Sequence, residues 1–187
     1  HAQSTSINAE RFSPSLGNGD WTHLYSGEML PEGSFLFNVS SSYARNPFVF
    51  NAANENTKSV PFLRDVFMSH ISGGFSVGFM QLGIQAPIFI YSEGVLADNQ
   101  RFLGDMRLSM GTGFEAKRHH MLFGLWVDGT LPTGDDGAGF GAGVPTLSTN
   151  LSIQWRNDDV QVLANAGFLT GTKAEILDLR VSPALLW

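Results

Sequence analysis

The chain has 187 residues, enough for one domain, and its formal net charge of −6 argues against nucleic acid as a partner. It is 43% hydrophobic but only 15% charged, against the ~25% charged residues usual in globular domains. No cysteine is present, which excludes disulfides and thiolate chemistry, and no apolar run approaches the ~18 residues of a membrane helix.

Residues 1–31 are mixed in character, with turn residues at Pro14, Gly17, Asn18 and Gly19 and one short extended piece, Trp21 to Tyr25. They read as a lead-in outside the repeating pattern. Phe12, Leu16, Trp21, Leu24, Tyr25 and Leu30 make it too apolar for a solvated linker. It is therefore expected to pack on the rest of the chain or on a neighbouring copy, which leaves room for a homo-oligomer. The start, His1-Ala2-Gln3-Ser4, shows no signal peptide and is compatible with a mature terminus.

From residue 32 onward the pattern has period two, as in a strand with one apolar and one polar face. A first strand is expected from Ser34 to about Ala44, with Phe35, Phe37, Val39 and Tyr43 on one face, broken by Asn46-Pro47, with room for a short extension at Phe48-Val49-Phe50 before a polar loop from Asn51 to Ser59. A second, from about Val66 to Phe79, alternates Phe67, Ile71, Phe75 and Val77 with Met68, His70, Ser72 and Ser76. A tight turn near Met80-Gln81 leads to a third carrying Leu82, Ile84, Ala86, Ile88 and Ile90. Pro87 donates no ladder bond, so a bulge or irregular pair is expected there. After a loop from Ser92 to Leu103, a fourth strand alternates Met106, Leu108, Met110 and Phe114 with Asp105, Arg107, Ser109 and Glu115. The turn Lys117-Arg118-His119-His120 leads to a fifth, with Met121, Phe123, Leu125 and Val127 against Gly124, Trp126 and Asp128. A glycine-rich loop, Thr133 to Gly143, precedes the clearest unit, the hairpin from Val144 to Gly171. Its first arm sets Leu147, Leu151, Ile153 and Trp155 against Ser148, Asn150, Ser152 and Gln154. A last strand follows, with Leu177, Leu179 and Val181 opposite Asp178, Arg180 and Ser182.

Arms of about twelve residues exceed the mode of about five or six for soluble strands and approach the roughly 9–11 that cross a bilayer. Short turns alternate with mostly long loops, the pattern of an outer-membrane barrel. The expected fold is all-β: a transmembrane antiparallel up-and-down barrel of about eight strands over residues 32–187, with both termini periplasmic. Alternate strands finish on the apolar face with Phe79, Phe114, Trp155 and Trp187, a periplasmic aromatic girdle. A soluble barrel with its apolar face inside would show Lys and Glu on the other face; here that face is Ser, Gly, Asn and Thr. Outer-membrane lipids are thus the expected surroundings and the cell outer membrane the expected location.

Ile7-Asn8-Ala9-Glu10-Arg11-Phe12, Tyr43-Ala44-Arg45-Asn46-Pro47, Leu103-Gly104-Asp105-Met106-Arg107-Leu108 and Leu131-Pro132-Thr133-Gly134 resemble segments of OmpA-like outer-membrane proteins of the deltaproteobacterial type. Such proteins usually carry a further peptidoglycan-binding domain. Nothing in the chain matches it, so wall tethering is not implied, though the resemblance implies a chain continuing past Leu185-Leu186-Trp187. Pro183 departs from a clean terminal strand.

His70 and Ser72 share a face, but residues two apart on a strand are about 6.5–7 Å apart along it, too far for a nucleophile–base pair. His119-His120 reads as a solvated or headgroup-facing turn. Asp135-Asp136 lacks the spaced carboxylates of a calcium loop, and Gly137-Ala138-Gly139-Phe140-Gly141 lacks phosphate-loop spacing and its lysine. No catalytic, metal or cofactor site is expected. Pairing Phe114 with Met121 would set Arg107 opposite Asp128. Asp105, Glu115, Arg156, Asp178 and Arg180 would complete a mixed-sign lumen charge network, because unpaired charges inside a small barrel are costly. The expected role is non-enzymatic, structural or envelope-organising, with a lumen filled by polar and charged side chains. The alternatives are a general diffusion porin of which this is part and an outer-membrane enzyme acting on lipid or peptide.

Overall fold

The computed structural model describes residues 15–16, 24–50, 60–94, 102–134, 143–157, 160–171 and 175–185, with the backbone alone at 46–50, 60–64, 94, 102, 118, 171 and 175–185. The described strands are β1 (Phe35–Phe50), β2 (Val60–Val77), β3 (Met80–Gly94), the two-residue β4 (Phe102–Leu103), β5 (Met106–Ala116), β6 (Met121–Leu131), β7 (Thr146–Arg156), β8 (Val160–Gly171) and β9 (Glu175–Leu185). All described pairings are antiparallel, in the order β1-β2-β3-β5-β6-β7-β8-β9, with the short β4 also beside β3, so only β3 and β5 pair across an intervening strand. The sheet curls into a half-barrel. The only helical turn among the described residues is a single 3-10 turn at Lys117–His119.

Among the described residues the ladder does not join β1 to β9, so in place of the closed barrel expected from the sequence they form a curled half-barrel with these two strands at its edges. Alternation specifies which face a side chain takes, not whether the last strand meets the first.

Four local features differ from, or refine, the sequence expectations. Asn46-Pro47 does not end β1; the strand runs on to Phe50, and the ladder to β2 shifts between Arg45 and Phe48. A bulge accommodates a proline that a regular central ladder would not. The β2–β3 turn is Gly78-Phe79, two residues early, with Val77 paired to Met80 and Gly78 at φ +57°, a conformation open to glycine. At Pro87 the sheet is irregular as expected. β3 pairs with β5 from Met80 to Gln85 and with β4 at Ile88 and Phe89, one residue out of register. Gly104 N–H, in the gap, donates to Pro87 O at 2.8 Å. Finally, the 3-10 turn and the left-handed His120 (φ 53°) connect Ala116 directly to Met121. Phe114 therefore faces Phe123, and Arg107 stands opposite Thr130 rather than Asp128.

The two faces are sharply different. The outer face carries Phe35 at 80% exposure, Phe37 at 74% and Leu151 at 56%, with Ile71, Leu82, Leu108, Leu125 and Phe168 also exposed. The inner face buries Ser72, Ser76, Gln81, Gln85, Ser109, Asp128, Ser152, Gln154 and Asn165. What covers the inner face is the lead-in: Leu16, Leu24, Tyr25 and Ser26 are all buried.

Candidate functional site

The site is built on a row of small inner-face residues. The registers place Gly113 opposite Gly124, Gly124 opposite Ser152, and Ser152 opposite Asn165, so the row crosses β5, β6, β7 and β8. The backbone of Ser26 and Gly27 lies directly on it. A Cβ at Gly113 would collide with Gly27 O, one at Gly124 would stand 2.7 Å from Ser26 O, and one at Gly27 would stand 2.6 Å from the Phe123 carbonyl carbon. Only glycine lets two backbones approach this closely.

Asn165 ends the row and holds the strap at Tyr25. Its Nδ2 donates to Tyr25 O at 2.8 Å and its Oδ1 accepts from Tyr25 N–H at 2.8 Å. One buried side-chain amide thus satisfies both backbone groups of a residue outside the sheet, where an unmade bond costs about 1–3 kcal/mol. Trp126 supplies the next anchor. Its Nε1–H donates to Ser26 O at 3.0 Å, and its ring stacks on Tyr25 with centroids 4.7 Å apart. Farther along, Gln81 on β3 binds two segments at once. Its Nε2 donates to Leu16 O at 2.7 Å, while its Oε1 accepts from Leu30 N–H at 3.2 Å. Gly33 N–H then donates to Ser76 O at 3.0 Å, just before β1.

The charged centre lies under the Tyr25 ring. Asp128, 4% exposed, accepts from Tyr25 Oη at 2.6 Å, Ser109 Oγ at 2.5 Å, Ser148 Oγ at 3.3 Å and Asn150 Nδ2 at 3.2 Å. Arg107 reaches it diagonally, Nε to Oδ1 at 3.8 Å, and donates from Nη2 to Tyr25 Oη at 2.8 Å. The guanidinium also sits 5.8 Å from the Tyr25 ring centroid, within cation–π range. Burial pushes the Tyr25 phenol well above its usual value; Arg107 opposes this and Asp128 adds to it.

The residues named from the sequence are thus distributed as follows. Arg107 and Asp128 meet, although across a register two residues from the expected one, and through a tyrosine. Asp105 is buried and accepts from Gly134 N–H at 2.9 Å. Arg156 pairs with Glu28 of the strap at 3.4 Å, half-exposed. Glu115 is exposed at the end of β5 and stands outside the cluster. Asp178 and Arg180 are known only by register, opposite Gly167 and Asn165. On the outer face, Phe79 (76% exposed), Phe114 (66%) and Trp155 (39%) stand near the short-turn end, with Phe114 stacked on Phe123 at 4.9 Å. Trp187, Phe12, Trp21, Asp135, Asp136 and the Gly137–Gly141 stretch lie outside the described residues.

Ser72 Oγ donates to Asn38 O at 3.3 Å rather than to His70, which is fully buried opposite Pro87. Among the described residues no group of three His, Asp or Glu is placed to hold a metal ion. Sequence reasoning missed Tyr25, Asn165, Gln81 and the glycine pair as parts of one site. The signal available was small residues at Gly113, Gly124 and Ser152, which align once the hairpin registers are set correctly. No family model, curated protein or solved structure matches the chain.

Proposed function

We propose that this chain is a non-enzymatic outer-membrane β-barrel protein with a structural or envelope-organising role, its interior occupied by polar side chains and by residues 24–31. The observation that carries the reading is the inverted distribution of polarity. Large apolar side chains such as Phe35, Phe37, Phe114 and Leu151 face outward, while glutamines, serines and an aspartate are buried. Soluble monomers rarely expose contiguous apolar patches larger than a few hundred Å²; lipid makes the same surface favourable. The OmpA-like segments point the same way. The test is to fold the purified protein with liposomes and float it on a gradient. Co-flotation, with protection of the strands from protease, is expected; a protein that stays monomeric and folded in detergent-free buffer overturns the reading.

The open edges favour a second reading, a larger porin-like barrel of which this sheet is a part. Unpaired strand edges are not tolerated in the hydrocarbon region. Strand β1 has described pairing on one side only, and its inner-face Asn38 is exposed. Intact mass and cross-linking of the membrane-extracted protein separate the two. A lone closed barrel joins engineered cysteines on β1 and β9 within one chain; in a larger barrel these two strands meet other strands instead.

A further inference from the structure

We propose that residues 24–30 are a displaceable strap that narrows the interior, latched by Asn165 on the Tyr25 backbone and by Arg107 and Asp128 on the Tyr25 hydroxyl, and that its release opens a path for small hydrophilic solutes. This rests on the membrane-barrel reading. It goes further in naming which segment occupies the interior and which side chains hold it there.

Three features distinguish a strap from ordinary core. First, the segment is no strand of the sheet. Apart from one bridge at Leu24, it is extended coil laid across the strands, so it can leave without unpairing the sheet. Second, its seat is polar. Beneath it are Asn165, Ser152, Gln81, Ser109 and Asp128, all buried, and Ser152 Oγ and Gln154 Oε1 have no hydrogen-bond partner. Water can replace the strap on such a surface, whereas an apolar seat would resist hydration. Third, the holding contacts are few and concentrated. Tyr25 alone engages Asn165 twice, Asp128, Arg107 and Trp126. C-terminal to it, the described contacts are spread one per residue: Trp126 donates to Ser26 O, Arg156 pairs with Glu28, and Leu30 N–H donates to Gln81. A displaced strap would uncover a wall of Ser, Asn, Gln and Asp with Arg107 beside Asp128, a lining suited to water and small polar solutes rather than to apolar ones.

The test uses the full chain in planar bilayers, with Ser26→Cys as an added reporter. The protein has no native cysteine, and Ser26 is fully buried, so its thiol should react with a water-soluble maleimide only when the strap lifts. The background without further change should give low conductance and slow labelling. Adding Asn165→Leu should raise both severalfold together. Tyr25→Phe, which removes only the hydroxyl, should give a smaller rise in both and serves if Asn165→Leu fails to fold. Conductance that stays flat while labelling rises overturns the strap as a barrier; conductance that rises without labelling places the path elsewhere and also overturns it. Failure of the unsubstituted protein to enter bilayers would instead overturn the membrane reading on which the proposal stands.

Discussion

On β7, the inner-face residues Ser152 and Gln154 are 2% and 1% exposed; on β1, Asn38 is exposed and Ser40 half-buried, although both pairs occupy the same face of the same sheet. The alternation of residue types is alike in the two strands. What differs is the cover. The strap lies on β5 through β8 and crosses to β3 at Gln81, and Gly33, just after it, bonds to Ser76 of β2. The glycines follow the cover. Gly113 and Gly124 meet another backbone, whereas at Gly74, on the inner face of β2, a Cβ would find its nearest atom at an ordinary 3.4 Å. The β5–β8 wall is shaped to receive a peptide segment; β2, whose His70, Ser72 and Ser76 are also buried, shows no such close backbone approach at Gly74, and at β1 the inner face becomes exposed at Asn38.

The sharpest way to break this comparison is to place the same charge on two adjacent residues of the covered wall. Leu151→Arg puts a guanidinium on the outer face, where a lipid-facing arginine near the midplane costs about 2–4 kcal/mol. Ser152→Arg puts it under the strap, beside Gly124. We expect Leu151→Arg to abolish most liposome insertion, and Ser152→Arg to insert but lose the strap, read as faster labelling of Ser26→Cys. Equal insertion yields would reject the assignment of faces.

Next in size is a pair of glycine substitutions. Gly124→Ala drives a methyl into Ser26 O and Ser152 Oγ, and we expect it to destabilise the seated strap by about 1–3 kcal/mol, the range for overpacking. Gly74→Ala adds a methyl at ordinary contact distance and should be neutral within about 0.5 kcal/mol. Thermal melts in detergent, followed by fluorescence of the tryptophans, distinguish them. A drop at Gly74 as large as at Gly124 would mean that the strap is not what makes the glycines matter.

These contrasts also mark what the sequence disclosed. The faces of Phe35, Leu151 and Ser152 follow from alternation alone, because a strand has only two sides. The break in pairing beside Pro87, between β5 and β4, follows from its missing N–H. The strap's seat did not follow, because it depends on cross-strand register. A two-residue change in the Lys117–His120 turn moves Arg107 from Asp128 to Thr130. Tyr25 and Asn165 are 140 positions apart, and no local pattern links them. The edges were equally hidden, since alternation in β1 is the same whether or not a neighbour pairs with it.

Alkaline pH gives a smaller effect with a definite sign. The Tyr25 phenol is raised by burial in the seated state, with Arg107 on β5 and Asp128 on β6 as the charged groups facing it. Its contribution to seating is therefore complete below the ordinary tyrosine value of about 10. It is lost as pH rises beyond that, because a released Tyr25 ionises and a seated one does not. Fluorescence of Trp126, stacked on Tyr25, should report release as pH climbs above about 10. Tyr25→Phe should flatten that part of the curve. An unchanged curve would assign the transition to other groups.

The smallest effect should come from the Glu28–Arg156 ion pair, which ties the strap to β7. Glu28 and Arg156 approach to 3.4 Å, but their side chains remain 36% and 40% exposed. An exposed pair of this kind contributes about 0–1 kcal/mol, and salt screens it. Tyr25 makes its contacts in full burial, where losing a partner strands a polar group. Glu28→Gln should therefore change the labelling rate of Ser26→Cys by less than about fivefold, a difference of about 1 kcal/mol, and the change should vanish near 1 M salt, where the screening length falls to about 3 Å. If Glu28→Gln instead matched Asn165→Leu in size and persisted at high salt, the strap would be pinned at the short-turn rim. The Tyr25 contacts would then follow from its position there rather than hold it in place.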